Sequence, residues 1–292
     1  MPELTAVAAR QLPDFVDLEF ARRLEMAETI LPDCVEALQR YCPADPIAAM
    51  EVAGGVAFFG GITYPANQIV GMGLYGEVTR DDMDRVEHFF RSRAVPSTIV
   101  LSPLADESLR TLLGECGYRI AELNSVLIRR ISESEPFTPP AGVLIERVTP
   151  ETAKPWMRAI AQGFAQDITA AEEVLGGFAA LPGALAFLAR IDGKVVGGCG
   201  GRIIVEARIA TLYGTATLPE FRRRGVQSAL IAQRLHEAAL AGCEYAVVST
   251  KPGSGSQRNM ERRGFRLAYT KTVMMREWPD APAGMENDAD GH

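Results

Sequence analysis

The segment with the clearest chemical mechanism is residues 217–229, Thr-Leu-Pro-Glu-Phe-Arg-Arg-Arg-Gly-Val-Gln-Ser-Ala. A strand pattern ends at Thr217, Pro219 stops it, and three arginines lead to Gly225, which opens an amphipathic helix. The first backbone N–H groups of a helix have no internal acceptor and carry partial positive charge, so they bind phosphate oxygens. A glycine at this point removes the Cβ that would hold an anion away. The segment therefore predicts a diphosphate site.

The three arginines allow a second interpretation. Arg222, Arg223 and Arg224 could add charge for a diphosphate or a 3′-phosphate, or they could form a solvated turn before an ordinary helix. The order of strand, proline and glycine favours the anion site. No Gly-Lys-Ser/Thr follows and the glycines of a dinucleotide fingerprint are absent, so the segment is neither a P-loop nor a Rossmann turn.

Length and composition set the frame for this site. The chain has 292 residues with 47% hydrophobic and 23% charged residues, which predicts two globular domains. A net charge of −7 argues against a general nucleic-acid or membrane-surface binder, and no run of 18 apolar residues predicts a membrane span. The five scattered cysteines predict free thiols and no metal site. Together with acidic residues where a signal peptide needs an apolar core, they predict a cytoplasmic protein.

The two halves of the chain share a weak internal repeat. Residues 98–102 correspond to 245–249, and Gly117-Tyr118-Arg119 corresponds to Gly264-Phe265-Arg266, in both cases 147 residues apart. Leu74-Tyr75-Gly76 and Leu212-Tyr213-Gly214 are 138 apart, so the first half lacks nine residues between the two blocks. There it reads Thr79-Arg80-Asp81-Asp82 and enters a helix directly. The repeat predicts a duplicated fold whose first copy has no anion loop.

A polar, proline-containing linker at 130–142 separates the halves and gives predicted domains at 1–129 and 143–278, followed by a disordered tail at 279–292. In the second half, the patterns predict strands at 143–148, 184–191, 194–204, 208–217 and 245–250, helices at 150–166, 169–180 and 225–241, a short helix ending at Gly264, and a closing hairpin at 265–276. Arg234 is assigned to the polar face of the 225–241 helix. The predicted fold class is α/β, with two mixed α/β domains in tandem, each a twisted, mainly antiparallel sheet flanked by helices.

The second half resembles the GNAT superfamily of N-acetyltransferases, whose pyrophosphate loop reads Arg/Gln-x-x-Gly-x-Gly/Ala. Arg222 and Gly225 fit this pattern and Gln227 departs from it. The resemblance covers residues 143–278, and the first half looks like a degenerate copy, as in tandem members of the superfamily. It implies that acetyl-coenzyme A is the acyl donor, with these residues binding it: Thr215, Ala216, Thr217, Arg222, Arg223, Arg224, Gly225, Val226, Gln227, Ser228, Ser256 and Asn259.

The resemblance leaves the proton-transfer groups open. Many family members have a tyrosine four residues before the terminal Gly-Phe, where this chain has Met260, and a glutamate in the strand before the loop, where it has Thr211. Tyr213 and Glu206 are the substitutes nearby, although a core aromatic and a solvated turn acid are the competing interpretations. Ser256 could equally be a helix N-cap. Three acids, Asp167, Glu172 and Glu173, fall where the family lines its acceptor site.

The expected function is transfer of an acyl group, expected to be acetyl, from coenzyme A to a primary amine by direct attack on the thioester. The alternative is a non-catalytic acyl-coenzyme A binding or sensor protein. The expected partner is a small-molecule amine or a peptide acceptor, without nucleic acid or membrane, and a homodimer is left open. Net acidity hints at a cationic amine, although net charge says little about one pocket.

Overall fold

The computed structural model describes residues 15–30, 32–43, 46–132, 134–164 and 172–278. The predicted tail at 279–292 and Asp167 lie outside these residues, as do the side chains of Glu172 and Glu173. The helices are α1 (Leu18–Glu28), α2 (Pro32–Tyr41), α3 (Arg80–Arg91), α4 (Glu107–Glu115), α5 (Ala153–Phe164), α6 (Glu172–Gly177), α7 (Val226–Leu240) and α8 (Gly255–Glu261). No helix in the described part of the chain is long and apolar enough to cross a bilayer.

Eleven strands complete the described structure. They are β1 (Ala48–Val52), β2 (Gly55–Phe59), β3 (Gln68–Val70), β4 (Ser97–Leu101), β5 (Arg119–Arg130), β6 (Leu144–Arg147), β7 (Phe187–Ile191), β8 (Lys194–Ile204), β9 (Ile209–Thr217), β10 (Tyr245–Thr250) and β11 (Arg266–Arg276). The chain divides into two compact units, one of Met1–Ala27, Ser125–Asp167 and Pro182–Tyr269, the other of Glu28–Asn124, Ile168–Leu181 and Thr270–His292. The predicted boundaries at 1–129 and 143–278 are contiguous and stay a proposal.

The unit that contains α7 is built on strands in the order β6, β7, β8, β9, β10 and the second half of β5. All neighbours are antiparallel except β9 and β10, which run parallel. Asp192 and Gly193 have φ angles of 50° and 76° and form the tight turn between β7 and β8 that the sequence predicts. The inner face of α7 packs on this sheet through Leu230 and Leu235, which are almost wholly buried. The predicted mixed, mainly antiparallel sheet with flanking helices is confirmed.

The unit that contains α3 repeats this plan with shorter strands. Strands β1, β2 and β3 are antiparallel neighbours, β3 and β4 run parallel, and residues 272–276 of β11 pair antiparallel with β4. Helices α3 and α4 bury Val86 and Leu109 in its core. The duplication that the repeat predicts is therefore present. The missing residues lie after Gly76, where α3 begins at Arg80, four residues later, whereas α7 begins at Val226, twelve residues after Gly214.

The terminal strands depart from the sequence prediction in two ways. The expected closing hairpin at 265–276 is wrong, because this segment is one continuous strand, β11. In addition, the last strand of each half pairs within the sheet of the other half: β5 pairs with β10, and β11 with β4. Both strands follow a Gly-aromatic-Arg sequence. An identical local pattern cannot specify which of two equivalent edges a strand will join.

Candidate coenzyme-binding and acyl-transfer site

The parallel strands β9 and β10 separate partway along their length. They pair only at residues 209–211 and 245–247, whereas the rest of β10 stays paired with β5. In the described sheet, β9 therefore has no strand neighbour on this edge from Leu212 to Thr217. Its backbone N–H and C=O groups must find other partners, since these groups are rarely left unsatisfied when buried. An extended ligand with amide groups, such as a pantetheine arm, meets that need.

A bulge in β9 lies at this opening. Opposite β8, Gly198 pairs with Ala216 and Gly200 with Tyr213, so β9 holds one extra residue there. Gly214 has a φ of 58°, a left-handed conformation that glycine adopts without a Cβ penalty. A bulge bends the strand that contains it and increases its local twist. The bulge thus accounts physically for the departure of β9 from β10.

Arg234 of α7 donates hydrogen bonds to three residues at the bulge. Its guanidinium donates to the carbonyls of Gly200 at 2.6 Å and Tyr213 at 3.3 Å, and to Thr215 Oγ1 at 2.6 Å. The prediction that Arg234 lies on the polar face of the helix is wrong, because the residue is fully buried. Burial lowers the pKa of this guanidinium below its usual value. The sequence periodicity of α7 cannot reveal that strand carbonyls lie close enough to accept hydrogen bonds from a buried Arg234.

The start of α7 is open at its N-terminal end. Gly225 is the residue before the first helical turn, with a φ of 78°, and no side chain caps the helix. The first backbone bond of the helix joins the Ala229 N–H to the Gly225 carbonyl at 2.9 Å. The N–H groups of Val226, Gln227 and Ser228 precede this bond and have no intrahelical acceptor. They form a group of donors of the kind that binds phosphate oxygens.

The three arginines flank this helix start and are exposed. Arg222 donates from Nη2 to the carbonyl of Gly163 at 3.2 Å, which ties the loop to the end of α5. Arg223 has a φ of 63°, an uncommon conformation for a residue with a Cβ. Arg224 lies over the ring of Phe221, with its guanidinium carbon 5.8 Å from the ring centre. The loop is thus a shaped turn with its cationic groups on the outside.

The short helix α8 brings one further predicted residue to the loop. Asn259 donates from Nδ2 to Gln227 Oε1 at 3.0 Å, so these two residues meet at the start of α7. The N-cap of α8 is Ser254, whose hydroxyl accepts from the Gln257 N–H at 3.2 Å. The capping interpretation of Ser256 is therefore wrong, and its exposed side chain lies within the first turn of the helix.

Two features show that the residues present fit coenzyme A. Thr217 Oγ1 is buried and has no hydrogen-bond partner among the described residues. It lies at the end of β9, directly before the loop, where a ligand group would satisfy it. A Cβ on Gly225 would come within 3.1 Å of Pro140 Cγ, so the bare glycine maintains the space above the helix start. Thr215 and Ala216 continue the same strand, with Thr215 held by Arg234.

The proposed proton-transfer residues are placed differently from each other. Tyr213 lies at the bulge, is 38% exposed, and donates from its hydroxyl to the Gly201 carbonyl at 3.3 Å. It is therefore not a core aromatic. Glu206 is exposed in the turn between β8 and β9, at the opposite end of β9 from the loop. The five residues of strand from Ile209 to Gly214 span roughly 17 Å at about 3.3 Å per residue, so the structure does not bring Glu206 to the bulge.

The two positions at which the chain departs from the family are both buried. Met260 is 4% exposed and belongs to the core that packs on α7. Thr211 is 8% exposed, on the last residue of β9 that pairs with β10. Neither residue can give or take a proton as a tyrosine or a glutamate would. The described site therefore offers Tyr213 and backbone groups of β9 beside the expected thioester.

The splayed parallel strand pair and the uncapped, arginine-flanked helix start that follows it offer free strand amides and free helix N–H donors at adjacent positions. The model of the acetyltransferase (GNAT) family matches residues 152–265. The N-terminal region has a GNAT-like fold as well. The expected tandem arrangement is therefore confirmed. Comparison of the sequence with curated proteins returns no match.

Solved structures with similar folds include a GCN5-related N-acetyltransferase from Kribbella flavida. It is 18% identical, with a TM-score of 0.61 over 90% of this chain and 96% of that one. A tandem GNAT protein from the clavulanic acid biosynthesis pathway is 13% identical, with a TM-score of 0.57 over 88% and 92%. A GCN5-related N-acetyltransferase from Sphaerobacter thermophilus is 18% identical, with a TM-score of 0.49 over 65% of this chain and 61% of its own length. At 18% and 13% identity, the likeness to the Kribbella and clavulanic acid pathway structures shows the fold alone.

Proposed function

We propose that this protein transfers an acetyl group from acetyl-coenzyme A to a primary amine by direct attack of the amine on the thioester. The observation that carries the proposal is the start of α7, where Gly225 leaves the helix uncapped beside three exposed arginines. The match of residues 152–265 to the GNAT family model supports acyl-coenzyme A-dependent N-acyltransfer in general. Acetyl as the acyl group, and a small-molecule or peptide amine as acceptor, are the finer parts of the proposal.

In this proposal, the chain's own groups divide the work of binding and orientation. The N–H groups at the start of α7 and the arginines bind the diphosphate, and the free edge of β9 orients the pantetheine arm. When bound, acetyl-coenzyme A supplies an activated acyl carbon. Backbone N–H groups near the bulge polarise the carbonyl, as preorganised donors do in other acyl transfers. Tyr213 is the side chain best placed to give a proton to the departing thiolate.

The loop is tested by a pair of variants at the two ends of one helix. Gly225 and Gly242 bracket α7 with φ angles of 78° and 74°, so a side chain is comparably strained at either position. Gly225→Glu adds a Cβ near Pro140 and a negative charge at the phosphate donors, and we expect coenzyme A affinity to fall roughly 100-fold or more. Gly242→Glu is the control and should bind normally. Equal affinity of both variants in calorimetry would eliminate the assigned loop.

A second function, acyl-coenzyme A binding without catalysis, is favoured by one specific observation. The family's proton-transfer positions hold Met260 and Thr211, and both are buried. The two functions are separated by incubating the protein with acetyl-coenzyme A and a pooled amine library and measuring release of free thiol. Turnover with any amine supports the transferase. Tight coenzyme binding without turnover supports the sensor.

A further inference from the structure

Arg202 is a buried cation on the strand next to the bulge. It lies on β8 directly opposite Thr211 of β9, and it is 8% exposed. Its Nε has no hydrogen-bond partner among the described residues, nor does any described carboxylate form an ion pair with it. A buried charge is ordinarily paired, because removing it from water without compensation costs several kcal/mol. An arginine whose Nε has no partner among the described residues can accept a ligand as its partner.

The side of the sheet on which Arg202 lies follows from its neighbours on β8. A Cβ on Gly201 would lie 3.5 Å from Arg234, on the α7 side. A Cβ on Gly198 would lie 2.7 Å from the ring of Trp156, on the α5 side, and one on Gly200 would clash with Tyr213. Side chains alternate along a strand, so Arg202 shares the α5 side with Gly198, Gly200 and Tyr213.

This placement puts Arg202 near the position of acyl transfer. Residues directly opposite each other in a sheet face the same side, so Arg202 and Thr211 are neighbours there. Tyr213 follows two residues along β9, at roughly 7 Å for a strand rise of about 3.4 Å per residue. The guanidinium thus lies on the side of the sheet that Tyr213 occupies, within reach of a small molecule whose amine is at the bulge.

We propose that the acceptor is an amine that also carries a carboxylate, and that Arg202 binds this carboxylate and orients the amine toward the thioester. This inference rests on the proposed acyl transfer. A guanidinium matches a carboxylate with two parallel hydrogen bonds, which fixes orientation as well as position. It also supplies the partner that Arg202 lacks within the described protein. The cationic acceptor suggested by net acidity is then replaced by a zwitterionic one, because the local charge at the site is positive.

The test compares matched acceptors rather than single compounds. Each proteinogenic amino acid and its α-carboxamide share an amine and differ in the negative charge. We expect kcat/KM for the preferred amino acid to exceed that for its carboxamide by roughly 10- to 100-fold, the range of a charge-assisted hydrogen-bond pair. Arg202→Met, which keeps bulk and removes charge, should erase this preference by lowering kcat/KM for the amino acid to about the value for its carboxamide. Arg202→Lys should restore part of it.

The control is Arg266→Gln, an exposed arginine on β11 in the same unit, which should keep the full preference. Coenzyme A affinity measured by calorimetry separates the two levels of the account, because it should be equal in wild type and Arg202→Met. If the wild type does not bind coenzyme A, the proposed function is contradicted. Binding of a carboxylate by Arg202 is then tested by a second measurement. That measurement is ligand-detected NMR of the same amino acids without turnover, in which Arg202→Met should abolish binding.

Three outcomes would overturn the assignment. One is equal turnover of amino acids and carboxamides by the wild type. Another is an equal fall in the turnover of amino acids and of carboxamides by Arg202→Met while coenzyme A binding persists. The third is a preference for O-phosphoethanolamine over every amino acid, which would replace the carboxylate with a phosphate.

Discussion

Two helices that begin at corresponding points of the duplicated fold begin in opposite ways. Helix α3 is closed by a capping box, in which the Thr79 hydroxyl accepts from the Asp82 N–H and Asp82 Oδ2 accepts from the Thr79 N–H. Helix α7 has a bare Gly225 and no side-chain cap. The first arrangement consumes its own N–H donors and places acids at the positive end of the helix dipole. The second leaves donors free beside arginines, which suits an anionic ligand.

The strands before these two helices also differ, in the regularity of their pairing. The pairing of β2 with β3 runs without a register shift, whereas β8 and β9 contain the bulge that Arg234 holds. A short, regularly paired strand followed by a capped helix leaves few free backbone donors for a ligand. The comparison indicates that the first copy, which is about nine residues shorter here and has a capped helix start, lacks the free donors that α7 presents.

Removal of the Arg234 guanidinium should have the largest effect. Arg234→Met leaves the Gly200 and Tyr213 carbonyls and the Thr215 hydroxyl without their donor inside the protein. We expect the free energy of unfolding to fall by about 3 kcal/mol, measured by urea denaturation. Hydrogen exchange should accelerate in β9 and not in β3. Arg234→Lys should recover part of the loss, whereas a change below about 0.5 kcal/mol in both would refute the role of Arg234 at the bulge.

An acid placed at the third position of α7 should convert it toward the α3 arrangement. Ser228→Asp puts a carboxylate where Asp82 stands in α3, which should leave stability unchanged or slightly raised because of the helix dipole. The same charge repels a diphosphate, so coenzyme A affinity should fall roughly 10-fold in calorimetry. Ser228→Asn, with the same shape and no charge, is the control. If both substitutions weaken affinity equally, charge is not the cause.

Loss of the cap should destabilise the other helix without touching the coenzyme site. Thr79→Ala removes the hydroxyl that accepts from Asp82, and we expect a loss of about 1 kcal/mol. Faster hydrogen exchange should be confined to α3, with coenzyme affinity unchanged. Thr111→Ala, an exposed threonine within α4, is the control. Weaker coenzyme binding in Thr79→Ala would contradict the assignment of the site to the second copy.

The smallest effect is expected from Asp82, the acidic residue of the α3 capping box. Hydrogen bonds from the backbone and hydroxyl of Thr79 lower the pKa of Asp82 below its usual value. A carboxyl whose pKa is lower in the folded state stabilises the protein above its unfolded pKa, near 3.9, and loses that contribution as pH falls through the folded value. The stability difference between wild type and Asp82→Asn should therefore be constant at neutral pH and shrink as pH falls below the unfolded pKa of the carboxyl. A difference that grows on acidification would contradict the cap.

Several features of this contrast follow from local sequence. Glycine at 225 before an amphipathic run, Thr79 followed by Asp82, and Asp-Gly at 192–193 each have short-range chemistry that predicts a helix start or a turn. The bounds of β8 match the prediction, and those of β9, β10 and α7 lie within a residue of it. These elements are decided by residues a few positions apart.

What the sequence could not supply depends on residues far apart in the chain. Arg234 is buried because a bulge exposes carbonyls more than 20 residues away to it. Arg202 Nε has no partner among the described residues, which only the packing of distant segments decides. The exchange of the terminal strands β5 and β11 is a choice between two equivalent edges. Glu206 is a candidate by its order in the chain, but the first half of β9 separates it from the bulge.

The most direct test of the contrast is the stoichiometry of coenzyme A binding to the full chain. Calorimetric titration should give one molecule per chain in the wild type and in Thr79→Ala, and no measurable binding in Gly225→Glu at the same concentrations. Two molecules per chain, or one that persists in Gly225→Glu with undiminished affinity, would contradict the claim that only the α7 copy carries the site.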